Sequence, residues 1–286
     1  DALRMNAKWE LQNNEDFKFE IQELSFEQNG ASAHLHGSHH RNMRQVDLGA
    51  VDLTGELTGF DVKTIARFIP EKAPEHLRHW LANALLDGKA NNVSLRLKGR
   101  LQDFPFTTID AKQKSAGEFV VRGSIANGKL NFLPGVLAKD GVSPFWPVID
   151  NIKGNFVFDK ARMEIRAETA QTNQVPVSKV LAVIPDLASH EAVLTIDGNA
   201  AGSLQGMFNY VKASPVDDWL GNFLHDSSAT GNAQLALKLQ LPLHAIIDSK
   251  VYGALTLNAN DTVLQPGLPL VSGLSGKLEF NERGVN

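Results

Sequence analysis

Histidines are the first side chains here to test for chemistry. His34, His36, His39 and His40 cluster, and a strand would point His34 and His36 the same way. Two imidazoles so placed could hold zinc if a third ligand stood nearby. Leu35 between them shares its parity with Ala31 and Ala33 and takes the dry side, so the histidines are expected in water. His76 and His79 flank Leu77 on a helical stripe and are expected on its wet side. Gly123-Ser-Ile-Ala-Asn-Gly128-Lys129 approaches a phosphate-binding loop, which needs Ser or Thr after the lysine and a helix behind it. Leu130 follows instead, between two strand-like runs, so a hairpin turn at Asn127-Gly128 is expected. The carboxylates Asp217 and Asp218 stand at a helix start, where capping accounts for them. The chain has no cysteine, hence no thiolate nucleophile, disulfide or zinc–sulfur site. It carries neither a Gly-x-Ser-x-Gly elbow nor a His-Glu-x-x-His pair. These residues do not assemble into a catalytic centre.

The elements around them are far more regular. Phe17, Phe19 and Ile21 share a face, as do Ala31, Ala33 and Leu35, with Asn29-Gly30 as a tight turn between the runs. Further alternating runs are 51–57, 93–101, 119–125, 152–158, 163–167, 192–198, 233–241, 251–257 and 274–280. In each, apolar residues hold one parity and polar residues the other, the pattern of an antiparallel sheet covered on one side. Gly99, Gly123, Gly154, Gly198, Gly253 and Gly276 fall on the apolar parity, where they would let the sheet curl.

Helices are few. Asp61 is placed to cap Ile65, Phe68 and Ile69, and Ser203 to cap Leu204, Met207, Phe208 and Val211. Prolines break the chain after each, at Pro70 to Pro74 and at Pro215. A second helix then follows, with Leu77, Trp80, Leu81 and Leu85 in the first case and Trp219, Phe223 and Leu224 in the second. Both are expected to dock on the sheet as braces. Trp80 and Trp219 stand 139 residues apart, and Leu95 and Leu235 stand 140 apart. A fixed period in a strand-rich chain implies units stacked along one axis.

Composition narrows the function. The net charge of −4 argues against a nucleic-acid partner, and the longest apolar run is too short to span a membrane. Hydrophobic residues make up 43%, enough for a core, while the charged share of 21% is below the usual quarter. Thirteen to fifteen strands are expected, and open twisted sheets rarely exceed ~10 without curling or splitting. The fold class is therefore mainly β: an elongated, curled antiparallel sheet, a trough with short helices at repeat boundaries. Residues 1–50 would end a preceding repeat, 51–190 form a repeat unit, and 191–286 a second, truncated one. The opening at Asp1 and the ending just past a hairpin at Phe280 to Val285 suggest a segment of a longer protein.

Several runs resemble the YhdP branch of the AsmA-like family. They include Asp61-Val-Lys-Thr-Ile-Ala-Arg-Phe-Ile-Pro70, Leu77-Arg-His-Trp-Leu81, and Val93 through Phe106. Phe145-Trp-Pro147, Gly154-Asn-Phe-Val-Phe158, Ala182 through Leu187 and Gly273 through Phe280 continue the match in order. The resemblance implies a large Gram-negative envelope protein, anchored in the inner membrane, whose repeating β-groove crosses the periplasm. It further implies passage of phospholipid towards the outer membrane, support of its permeability barrier, and neither catalytic residues nor a cofactor. This chain would be a central, periplasmic length, meeting the two membranes only through parts outside it. Its partners would be acyl chains, lying against Val93, Leu95, Leu97, Leu101, Phe119, Val121, Ile125, Phe156, Phe158, Leu235, Leu237, Leu239, Val251, Leu255, Leu257, Leu278 and Phe280. The alternative is an elongated scaffold whose curled sheets pack with no space for a ligand. A hydrolase or glycan-binding solenoid is disfavoured, because the wet faces lack a carboxylate or aromatic platform.

Overall fold

A ribbon of alternating apolar and polar residues is stable as a strand once one side can leave water. The computed structural model describes residues 1–68, 75–107, 117–245 and 248–285, without the side chains of 66–68, 76, 77 and 285. Its strands are β1 (Ala2–Gln12), β2 (Asp16–Gln28), β3 (Ala31–Asn42), β4 (Ala50–Thr58), β5 (Phe60–Asp61), β6 (Leu85–Arg100), β7 (Gly117–Leu130) and β8 (Ile149–Asp159). They continue as β9 (Arg162–Thr172), β10 (Val175–Ile184), β11 (Val193–Ser203), β12 (Ser228–Ala229), β13 (Asn232–Pro242), β14 (Lys250–Val263), β15 (Val271–Asn281) and β16 (Gly284–Val285). The helices are α1 (Glu75–Ala84), α2 (Leu204–Lys212) and α3 (Val216–Trp219), with 3-10 turns over Val62–Phe68 and Leu101–Asp103.

All these strands belong to one antiparallel sheet. Fourteen follow one another from β1 to β16, with β5 set beside β6 and β12 beside β14. The path does not close on itself. At ~4.8 Å per step it extends about 60 Å across the strands. Each long strand spans the distance between a near rim, where β1, β6, β8 and β13 begin, and a far rim, where they end. The three connections that carry helices or the longest coil, 59–84, 131–148 and 204–231, all leave and rejoin the near rim.

Directly opposed residues of an antiparallel pair project to the same face, and the register keeps the apolar residues opposed throughout. Leu97 faces Leu53 and Phe119, Val121 faces Phe158, and Phe156 faces Ile165. Ile165 faces Ala182, Ile196 faces Leu239, and Leu239 faces Val251. β1 extends the same face, with Leu3 opposite Phe26 and Trp9 opposite Phe19.

Five strands carry an extra residue near the near rim. Asn92, Asn127, Asn151, Lys179 and Ala259 sit at register shifts of β6, β7, β8, β10 and β14, each with φ between 50 and 53°. A bulge of this kind bends its strand and exchanges the two faces beyond it. Hence Ile125 and Leu130 both join the apolar side although their parities differ. The hairpin expected at Asn127-Gly128 is therefore a bulge within β7, because positive φ serves either feature. Asn29 (φ 51°) and Gly30 (φ 79°) do form the expected turn.

Other elements end differently from expectation. Leu101 leaves the sheet for a 3-10 turn, since β4 begins at Ala50 and offers no ladder partner beyond Arg100. The second Trp helix stops at Trp219, where left-handed Gly221 and Asn222 (φ 62° and 59°) follow, so Phe223 and Leu224 are not helical. Ser203 caps α2 as expected, accepting a hydrogen bond from the Gly206 N–H at 3.0 Å. Ile69 and the proline break at Pro70 to Pro74 lie outside the described residues, as do the side chains of Phe68, His76 and Leu77.

Four packed clusters lie on or beside the apolar face. Val62 of the 3-10 turn packs with Ala90 and Val93, and α2 packs Leu204, Met207 and Phe208 onto Val175, Ala200 and Ala233. Ile152, Ala167 and Ala170 form a third. The largest joins Phe132 and Trp146, from the coil between β7 and β8, to Met163, Ile184, Leu194, Leu239, Leu241 and Val251.

Candidate functional site

The residues expected to line a groove fall on six strands. Val93, Leu95 and Leu97 lie on β6, Phe119, Val121 and Ile125 on β7, and Phe156 and Phe158 on β8. Leu235, Leu237 and Leu239 lie on β13, Val251, Leu255 and Leu257 on β14, and Leu278 and Phe280 on β15. Their cross-strand partners are one another or neighbouring apolar residues, so these sixteen share a face. Leu101 stands apart, half-buried in its turn at the far rim.

Burial is graded along the strands. At the far rim Met163, Ile184, Leu194, Leu241 and Val251 are buried, and at the near rim so are Val93, Ala167, Val175, Ala200 and Ala233. Between them Leu95, Leu97, Val121, Phe156, Ile165, Ala182, Ile196, Leu237 and Leu255 are only half-buried. A partly covered apolar strip thus runs across β6 to β14, broken where Leu239 is buried, with a covered row beside it at the far rim of β9 to β14. Ile165, Ala182 and Ile196 belong to it as well, beyond the lining residues expected from the sequence, because alternation marks the face a residue takes and nothing local marks how far that face is covered.

Two of the mid-strand glycines seat rings from the next strand. Gly123 lies under Phe156 and Gly253 under Phe280, so that a methyl group at either would meet the ring. Phe119 is braced instead by Phe104, edge-on at 5.0 Å between ring centres.

What covers the strip was not legible as an element. Trp146 is 3% exposed and meets Trp219 edge-on at 5.8 Å between ring centres. Trp80, on α1, donates its indole N–H to the Phe132 carbonyl at 3.0 Å, so it does brace, though against this coil. Half-buried Tyr210 packs beside the same cluster, and burial pushes its phenol up. Asp217 and Asp218 occupy the first turn of α3, yet neither caps it: Asp218 pairs with Lys139, and Asp217 stands 3.4 Å from His225 Nδ1.

The opposite face is wet and ionic. Arg96 bonds Asp52 and lies 3.3 Å from Glu118, and the Arg96 hydrogen bond holds the Asp52 carboxyl below the usual carboxylate range. Two shallow hollows open on this face, around Arg96 and Arg122 and around Lys18 and Asp52. His34, His36 and His40 are exposed, whereas His39 is half-buried with Nε2 2.7 Å from the Leu48 carbonyl. Among the described residues no group of three or more histidine or carboxylate side chains is arranged to hold a metal ion. Among them also, no helix is long and apolar enough to cross a membrane.

One apolar face is thus extended strand by strand through the described residues. A sequence profile of the family described as "YhdP protein" matches residues 1–286. The chain belongs to the YhdP family. The intermembrane phospholipid transporter YhdP of Escherichia coli (strain K12) is 27% identical over 216 residues, which is 75% of this chain and 16% of that protein. This member of the YhdP family thus spans a small part of the length of that relative. No solved structure matches it.

Proposed function

We propose that this chain is a periplasmic length of a non-enzymatic phospholipid conduit, part of an inner-membrane-anchored protein that reaches both membranes through regions outside it. The observation that carries the reading is the partly covered strip, lined by aliphatic and phenyl groups from eight adjoining strands. Two further supports are membership of the YhdP family and the name of the Escherichia coli relative. Drawing acyl chains through water costs ~0.8 kcal/mol per CH₂, so a phospholipid faces tens of kcal/mol. An unbroken apolar wall removes that barrier at each step and, lacking a fixed polar anchor, lets the lipid slide. The wall would serve outer-membrane lipid supply and the permeability barrier, with 51–190 and 191–286 as successive repeat units after the end of another at 1–50.

The test is Leu97→Asp or Leu237→Asp in the full-length protein. A carboxylate in the strip stays hydrated and interrupts the wall. Lipid flux is expected to fall at least tenfold while circular dichroism stays that of the folded sheet, and normal flux would overturn the proposal. Organic extraction and mass spectrometry of the purified protein separate this reading from a packed scaffold, which would yield no phospholipid.

A further inference from the structure

We propose that the 131–148 coil and the α2–α3 pair form a permanent strap across the mouth of the trough, roofing an acyl-chain compartment over β8 to β14. The compartment's ligand rests on the conduit reading, but the strap itself stands on packing alone. Both of its parts leave and rejoin the near rim, yet Phe132 and Trp146 share a core with Met163, Ile184, Leu194 and Leu241 of the far rim. The gap between the rims is therefore bridged by the protein's own side chains.

The strap is braced in three directions. Its two parts hold each other through Trp146 against Trp219 and through Lys139 paired with Asp218, 79 residues apart. Its base is tied to α1 by the Trp80 indole and by the Asn131 N–H, which donates to the Ala84 carbonyl at 2.8 Å. Leu204, Ile184 and Leu241, on either side of it, are fully buried. Packing this complete describes a fixed bridge, since opening it would strip a whole cluster of its neighbours.

Below the strap the floor is covered only in part, although it packs against the same cluster. Ile165, Ala182, Ile196 and Leu237 remain half-buried beneath the roof. The residues that face inward there are uncharged, so the space suits hydrocarbon and has nothing to hold a headgroup. A lipid in this stretch then has no side exit and moves only lengthwise, whereas Leu97 on β6 lies outside the roof.

The experiment uses the full-length protein with a photo-cross-linking residue at Leu237, beneath the strap, or at Leu97, outside it. Lys139→Cys and Asp218→Cys, joined by a short bismaleimide, fasten the strap shut. Phospholipid is expected at both positions, and capture at Leu237 is expected to change less than twofold on fastening. Capture at Leu97 alone, or a tenfold loss at Leu237 on fastening, would overturn a compartment beneath a fixed strap. Failure of the two cysteines to be bridged would overturn the strap, and capture at neither position would instead overturn the conduit reading.

Discussion

Strands β2 to β4 and strands β8 to β14 carry the same alternation and differ in what lies over it. In the second region the coil at 131–148 and helix α2 reach across the apolar face, and residues at both rims fall below a tenth of their free exposure. In the first region the 3-10 turn at Val62 packs only against Leu57 at the near end of β4 among the described residues of β2 to β4, and the inward residues of β2, from Phe17 to Phe26, stay half-buried. One strand further out, Trp9 is 70% exposed. The difference teaches that the strand pattern builds the wall, while the near-rim connections decide whether the wall is roofed.

The largest effect should come from the tryptophans that the two regions present. Trp146→Ala removes a buried indole wedged between rims and should cost about 3–5 kcal/mol, read as faster hydrogen exchange in β11 and β13. Trp9→Ala removes a larger exposed area yet should cost less than about 0.5 kcal/mol. Similar losses at the two positions would break the comparison, because burial would then not distinguish roofed from bare wall.

These two tryptophans also measure how far the sequence could be interpreted. The wall was legible because alternation with a one-sided apolar set has few other causes, and the register opposes those residues as expected. The bulges were not, since Asn127-Gly128 supplies left-handed backbone equally to a turn and to a bulge, and only the partner strand distinguishes them. β1 alternates too, at Leu3, Met5, Ala7, Trp9 and Leu11, and extends the wall beyond the strands expected from the sequence. The roof was opaque for a different reason. Phe132 and Trp146 sit in coil with no period, and their far-rim contacts depend on curvature that no local pattern encodes.

A smaller effect sharpens the comparison at the floor. Gly253→Ala would push a methyl group into the Phe280 ring that lies over it, an overpacking worth about 1–3 kcal/mol. Thermal melts should show the loss, and Phe280→Leu in the same chain should recover part of it. If the double variant melts no higher than Gly253→Ala, the ring is not what fills the glycine's place and the account of the floor fails.

The smallest effect belongs to the wet face, where charge rather than packing links the strands. Asp52, Arg96, Lys98 and Glu118 join β4, β6 and β7 below the bare part of the wall. Because the Arg96 hydrogen bond lowers the folded-state pKa of Asp52, its stabilisation is full above the unfolded value near about 4 and fades as pH falls through the lower folded value. Asp52→Asn should therefore lower the melting point slightly at pH 7, equivalent to less than about 1 kcal/mol for a half-exposed pair. The deficit should shrink as pH falls below the ordinary aspartate range and the wild-type carboxyl gains its proton. The deficit of Trp146→Ala involves no titrating group and should persist at both pH values. An Asp52→Asn deficit that equals it at pH 7, or survives acid unchanged, would mean that ion pairs rather than the roof distinguish the two regions.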